Sequence, residues 1–344
     1  MDNYKLLQLN NYIKNHRIKF FGLWLLSVLN KRYLAIQLDP VLACNLRCKM
    51  CYFTDDAFVK KNMKGIFSAE NLENVANVIF KNALKLQIGC AAEPTLFKHN
   101  TELIKIAKTH NVPYISMVTN GNLLDKNDVA DFAHAGLDEF ILSMHGVTKT
   151  TYEDLMDKGV YEKFHAVLQS ITEQKISNPK LKLRINYTFN QDNFHELKDF
   201  FNVFGKYAID IIQLRPIDKI GETTYHNFSL KNIEEDYFEI SNFLKEEAQK
   251  RNITLLYPQS IFRNETKSLK VKTPNDSSYL VPYTYCYVSP KFFWKDDFQW
   301  QNETFSDWKQ RNHWNAKLLK NIFVSKKALD ETNRNMLNYS VDIN

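Results

Sequence analysis

The stretch LDPVLACNLRCKMCYF, Leu38 to Phe53, carries Cys44, Cys48 and Cys51, three of the five cysteines in the chain. Thiolates are soft ligands, so a close group of them selects zinc, copper(I) or an iron–sulfur cluster. A structural zinc site wants a fourth ligand. No Cys or His continues the run, and the next histidine is His99, so zinc would have to recruit a distant partner. Three thiolates on a cubane instead leave one iron without a protein ligand, and an open position is what a catalyst requires. The spacing Cx3CxxC therefore reads as a metal or cluster site rather than as an accidental group of buried thiols.

Just before this loop lies YLAIQLDP (Tyr33 to Pro40), a short apolar run ending in polar residues. The same rhythm returns in LKLQIGC (Leu84 to Cys90), YISMVTN (Tyr114 to Asn120), EFILSMH (Glu139 to His145), KLRINYTF (Lys182 to Phe189) and DIIQLRPI (Asp210 to Ile217). Stretches of helical spacing separate the runs. Ser68 is placed to cap a helix whose Leu72, Val75, Ala76 and Ile79 share a face, and Leu103, Ile104 and Ala107 repeat the spacing. Strands that alternate with helices run parallel, and right-handed crossovers curl six such units into an open barrel whose C-terminal strand ends converge on one mouth. The expected fold is therefore α/β: a partial (βα)6 barrel over residues 33–220, an N-terminal helical segment at 1–32, and a C-terminal extension at 221–344. That extension should open with a helix from about Lys231 to Arg251 and continue as an aromatic-rich tail holding Trp294, Trp300, Trp308 and Trp314.

A Cx3CxxC loop directly after the first strand resembles that of the radical S-adenosylmethionine enzymes, and the likeness runs from about Tyr33 to Ile217. It implies a [4Fe-4S] cluster on Cys44, Cys48 and Cys51, with the unique iron chelated by the amino and carboxylate groups of S-adenosylmethionine. It also implies a one-electron reductant such as flavodoxin or ferredoxin, and a 5′-deoxyadenosyl radical that takes a hydrogen atom from substrate. GCAAEPT places Ala91-Ala92-Glu93-Pro94 where the family has Gly-Gly-Glu-Pro, which implies that the backbone there and Glu93 receive the cofactor's amino group. Asn120-Gly121 matches the turn after the third strand, which implies that Asn120 touches the cofactor, and Ser143 in SMHG matches a position that bonds the cofactor's carboxylate.

In the fifth strand, period-two alternation puts Arg184, Asn186 and Thr188 on one face, expected to look inward. Arg184 would then pair with the carboxylate of S-adenosylmethionine and Asn186 with its ribose, while Gln213 and Arg215 offer similar reach from strand six. Each of these, taken singly, is also an ordinary polar strand residue. Two departures from the family stand out. Met50 occupies a position that is usually aromatic and packs near the cofactor's adenine, with Tyr52 or Phe53 as the replacement there, and Ala91-Ala92 replaces paired glycines and narrows the allowed backbone angles.

Cys90, beside Gly89, reads as a small core residue, and Cys286 lies in TYCYVSP. The tail, including the Asp307-Trp308 pair, resembles a degenerate SPASM region, but with only Cys90 and Cys286 to spare a second cubane lacks ligands, so one cluster is expected. Tyr283, Tyr285, Phe292, Phe293 and Trp294 form either a substrate wall or a satellite core. His145 stands where relatives carry Asp; it is either a structural residue or a donor that shuttles a proton near neutral pH.

IKFFGLWLLSVL (Ile18 to Leu29), flanked by Arg17, Lys19, Lys31 and Arg32, is too short for a membrane-crossing helix, which takes about 20 apolar residues, and lacks a signal-peptide cleavage site. It is expected to dock on the domain, with a peripheral rest on a membrane surface through residues 18–29 as the alternative. Composition agrees with a folded enzyme: of 344 residues, 44% are hydrophobic and 24% charged, with nine Gly and nine Pro. An odd cysteine count points to a reducing, cytoplasmic setting. The net charge of +6 is scattered, which speaks against a nucleic-acid substrate. The substrate is expected to be a peptide or protein, or a cell-envelope intermediate. The rival reading is a non-catalytic metal-bound module that binds nucleic acid or a protein partner.

Overall fold

A computed structural model describes residues 12–217, 223, 225, 227–230, 233–258, 278–331 and 341–343. Residues 1–11 of the N-terminal segment and the first residues of the expected Lys231 helix lie outside the described residues.

The six expected strands are present as β1 (Leu34–Leu38), β2 (Ala83–Ile88), β3 (Ile115–Thr119), β4 (Glu139–Met144), β5 (Lys182–Phe189) and β6 (Ile211–Pro216). They pair in that order and all parallel. The intervening helices pack as their spacing demands. Ser68 Oγ accepts the N–H of Asn71 at 3.1 Å, and the helix Ala69–Ile79 buries Leu72, Val75, Ala76 and Ile79. The helix Asn100–Thr109 buries Leu103, Ile104 and Ala107.

The sheet is larger than the sequence rhythm suggests. β7 (Thr254–Pro258) continues it parallel beyond β6, and β8 (Tyr285–Ser289) adds a parallel strand on the other side of β1. Two short antiparallel strands, β9 (Phe292–Phe293) and β10 (Val341–Ile343), flank these. The expected irregular tail thus feeds strands into the sheet. Its β8 reads YCYVS, whose period-two alternation buries Cys286 and Val288 against the helical layer and leaves Tyr285 and Tyr287 on the side of the barrel interior.

The tail aromatics are mostly core. Trp294, Trp308 and Trp314 have ring centroids 5.0–5.6 Å apart, joined by Phe298 and Phe305. Tyr283 packs between Trp314 and the edge-on ring of Phe20, so Tyr283, Phe293 and Trp294 belong to packing and not to a substrate wall. The N-terminal helix, His16–Val28, docks here through Phe20, Leu23 and Ser27. Lys309, buried, donates to the Ser27 carbonyl at 3.2 Å and to Asn30 Oδ1 at 3.0 Å, tying down the helix's last turn.

The two sides of the sheet differ in kind. Leu34, Ile36, Leu86, Ile115, Phe140, Leu183, Ile185 and Leu214 are buried under the helices. The inner face instead carries Gln37, Gln87, Ser116 and Glu139 in one register row, and Ser143, Asn186 and Gln213 in another. A barrel lined this way has an interior built for a polar guest.

Candidate functional site

The cysteine loop leaves the C-terminal end of β1 and is held at several points. Arg47–Cys48 pairs antiparallel with Met156–Asp157, and Arg47 Nη1 donates to the carbonyls of Cys44 at 3.0 Å and Leu46 at 2.8 Å. The Cys51 N–H bonds back to the Cys48 carbonyl at 2.8 Å, and Cys51 opens a 3-10 turn, Tyr52–Thr54. All three thiols are partly buried. Burial pushes the Cys44 thiol up to about 12 and raises those of Cys48 and Cys51, and for Cys44 and Cys48 the neighbouring thiols add repulsion. Such a group becomes a thiolate set when a cation supplies the missing charge. Among the described residues no three His, Cys, Asp or Glu side chains are drawn together tightly enough to hold a single metal ion. A cubane asks for less convergence, since each thiolate binds its own iron.

Two neighbouring loops are locked to this one. The Tyr52 hydroxyl donates to the Ala91 carbonyl, and Glu93 N–H donates to the Ala43 carbonyl at 2.8 Å. Asn120 Nδ2 donates to Asn45 Oδ1 at 2.9 Å, while Asn120 Oδ1 accepts the N–H of Asn122 at 2.9 Å. Tyr52 and Asn120, both expected to touch the cofactor, therefore have their polar groups engaged in joining the cysteine loop to the turns after β2 and β3. Met50 is buried with Leu155 and Ile217.

Glu93 is buried, and its carboxylate is fully organised: Oε1 accepts from Thr95 N–H (3.2 Å), Thr95 Oγ1 (2.6 Å) and Thr119 Oγ1 (2.6 Å), and Oε2 from Asn120 N–H (2.9 Å). Burial still raises its carboxyl above the ordinary range, against the pull of these donors. Asp39, at the end of β1, plays a parallel part that the sequence reading missed. Its carboxylate accepts the N–H groups of Cys90 (2.7 Å) and Ala91 (2.9 Å) and the Tyr287 hydroxyl (2.8 Å), so it clamps the loop after β2 to β1 and to the C-terminal strand β8. An acidic residue closing an apolar strand was the available signal. The turn before this clamp needs Gly89: φ is +84°, and a Cβ there would lie 2.4 Å from the Val118 carbonyl oxygen.

Three expectations change. Cys90 is not a core residue: it is exposed, with Sγ 3.6 Å from the Tyr285 hydroxyl, because the Asp39 clamp holds it in the loop beyond the strand end. Arg184 is not free for a cofactor carboxylate. It lies low in β5, where its guanidinium is bound by Glu139 Oε1 at 2.8 Å and by Gln213 Oε1 at 3.0 Å. Lys85 approaches the same Glu139 at 4.0 Å, and burial pushes its ammonium down to about 8 despite that carboxylate. His145 is buried, and burial followed by the charge of Arg215 pushes its imidazole down to about 4, so it is neutral where the proton shuttle was expected.

The histidine gives a pH prediction. With a folded pKa of about 4 and an unfolded value of about 6.5, the unfolded chain binds the extra proton between these limits. Stability contributed by neutral His145 is present above pH about 6.5 and is lost as pH falls toward 4, by on the order of 3 kcal/mol. Denaturant unfolding of wild type and His145→Gln across that range should show the difference narrowing or reversing on acidification; parallel profiles would contradict it.

Ser143 makes no side-chain hydrogen bond among the described residues. Four buried polar atoms facing the barrel interior or its mouth also lack partners: Asn186 Oδ1, His145 Nδ1, Gln37 Oε1 and Ser116 Oγ. Orphaned groups of this kind cost free energy unless a ligand or water satisfies them, so the inner face of the barrel suits a polar organic guest. Arg215 is exposed at the end of β6, with its charge reaching His145 and Cys90.

These features define a barrel with a thiol loop at its mouth and unpartnered polar groups on its inner face. Residues 39–203 match the Radical SAM superfamily, whose cofactors are a [4Fe-4S] cluster and S-adenosylmethionine. It is 30% identical over 210 residues to a probable GTP 3′,8-cyclase of Saccharolobus solfataricus, covering 58% of this chain and 63% of that protein. It is 26% identical over 195 residues to the Sulfolobus acidocaldarius counterpart, covering 56% and 59%. The chain thus spans less than two thirds of the length of these curated relatives. Among solved structures, Streptococcus suis SuiB bound to S-adenosylmethionine superposes with a TM-score of 0.58 at 16% identity, covering 81% of this chain and 64% of SuiB. Another, anSMEcpe with bound AdoMet, gives 0.53 at 20% identity, covering 64% and 60%.

Proposed function

We propose that this chain is a radical enzyme in which Cys44, Cys48 and Cys51 hold one cluster and the barrel mouth presents S-adenosylmethionine to a peptide or protein substrate. The observation that carries the reading is the joining of the thiol loop, through Tyr52–Ala91 and Asn45–Asn120, to the turns after β2 and β3 of a barrel whose inner face holds unpartnered polar atoms. When bound, the two cofactors supply a 5′-deoxyadenosyl radical able to remove hydrogen from an unactivated C–H bond. The residues of the chain do the positioning. The loop Ala91-Ala92, held in place by Asp39, offers the Ala92 carbonyl to the cofactor's amino group beside the fixed carboxylate of Glu93. Ser143 and Asn186, neighbours in the β4–β5 register, offer their free groups to its carboxylate and ribose. Neutral His145 and exposed Arg215 face the space left for substrate.

The likeness in sequence to the cyclases is 26–30% over 195–210 residues, less than two thirds of their length, so it carries little about a nucleotide substrate. SuiB, which has been solved with its precursor peptide SuiA, resembles this chain over 81% of its length, and this favours a peptide. A cell-envelope intermediate is the second reading, favoured by the apolar, basic-flanked helix His16–Val28. A flavodoxin or ferredoxin is the expected reductant.

The test is anaerobic reconstitution, then measurement of 5′-deoxyadenosine from S-adenosylmethionine under a strong reductant. Product is expected, and its absence from a fully loaded cluster would defeat the proposal. Ser143→Ala and Asn186→Ala should each weaken S-adenosylmethionine binding by about tenfold, as expected for one lost polar contact, with iron content unchanged. Calorimetry showing wild-type affinity in both would remove these residues from the site.

A further inference from the structure

We infer that the paired helices His16–Val28 and Trp314–Phe323 form a docking face for an anionic lipid surface. The two helices run antiparallel, tied at one end by His16 Nε2 to the Val324 carbonyl (3.0 Å) and at the other by Ser27 Oγ to Asn315 Oδ1 (2.7 Å). Docking consumes only one side of the first helix, that of Phe20, Leu23 and Ser27. Its other side stays apolar and in solvent: Ile18 is 57% exposed, Phe21 51% and Leu29 55%, with Leu25, Leu26 and Val28 also exposed. The partner helix adds Leu319 and Phe323, the latter 76% exposed. Single exposed apolar residues are ordinary; a row of them on one helix pair marks an interaction surface.

Charge selects the partner. Residues 12–36 and 308–329 contain no Asp or Glu. Arg17, Lys31, Lys317, Lys320 and Lys327 are exposed on or beside the pair, and none forms a salt bridge with a described carboxylate. An apolar stripe bordered by cations, without acids, is complementary to a lipid interface, where side chains enter the acyl boundary and ammonium groups meet anionic headgroups. No helix among the described residues is long and apolar enough to cross a membrane, so the contact is peripheral. Docking on the domain and resting on a membrane, alternatives in the sequence reading, are served by opposite sides of one helix.

The test uses the full chain and vesicles of phosphatidylcholine with or without phosphatidylglycerol, read by flotation. Binding to the anionic vesicles is expected, falling as salt rises and much weaker without phosphatidylglycerol. A Phe21→Ser, Leu25→Ser double variant and a Lys317→Glu, Lys320→Glu double variant should each bind about tenfold more weakly or worse, with circular dichroism and thermal unfolding as in wild type. Three outcomes overturn the inference: no binding to anionic vesicles, binding by either variant as tight as that of wild type, or a solution dimer that the Phe21→Ser, Leu25→Ser variant dissociates while vesicles are ignored. The last would assign the face to a second copy of the chain. None of these readouts depends on the radical chemistry.

Discussion

Anaerobically prepared Cys44→Ala, Cys48→Ala and Cys51→Ala chains are each expected to lose the iron–sulfur cluster, with the brown colour and the iron falling together from about four irons per chain to near zero. One cysteine removed from three leaves a cubane with two protein ligands, and the partly buried loop offers no spare thiol within its own turns. Cys286→Ala should keep its iron because that thiol is buried on the far side of β8, and Cys90→Ala should keep it because Cys90 is turned out beside Tyr285. Iron and sulfide analysis of the five variants is the measurement. About eight irons in wild type, zinc in place of iron, or loss of iron in Cys286→Ala would contradict the single-cluster assignment.

Glu139→Ala is expected to be among the most destabilising single changes in the barrel. Glu139 is fully buried between Arg184 and Lys85, and its removal takes away the carboxylate that pairs these two cations. Breaking a buried pair from one side costs about 3–5 kcal/mol, because the remaining charge keeps its desolvation penalty. The paired change Glu139→Ala, Arg184→Met should recover a good part of the loss, since it removes the stranded guanidinium as well. Urea denaturation of both variants decides the matter. A Glu139→Ala chain of wild-type stability would mean that water reaches these groups freely.

Much of the molecule is readable in its residues. Short apolar runs alternating with helical periods locate six strands to within two residues at each end, since burial on two faces of a parallel sheet demands such runs and no tertiary contact is needed to see them. Ser68 and the face Leu72, Val75, Ala76 and Ile79 are legible for the same local reason. β8 is not, because YCYVS follows an irregular stretch and its place beside β1 comes from pairing across some 250 residues of chain. The aromatic tail is ambiguous in sequence because core and binding surface use the same side chains.

The residues expected at the cofactor divide along the same line. By itself the sequence determined the chemistry: three soft ligands after a first strand, an acid after the second, and polar residues on the inner face of β5. Only the tertiary structure decided which polar groups are already engaged. Arg184 meets Glu139, Asn120 meets Asn45, Tyr52 meets Ala91, and Asp39 gathers the loop after β2, whereas Asn186 keeps an unpartnered oxygen and Ser143 a free hydroxyl. The physical reason is that alternation assigns a side chain to a face. Whether it is free for a ligand depends on what the neighbouring strands bring within hydrogen-bonding distance, and that follows from register and depth in the folded barrel.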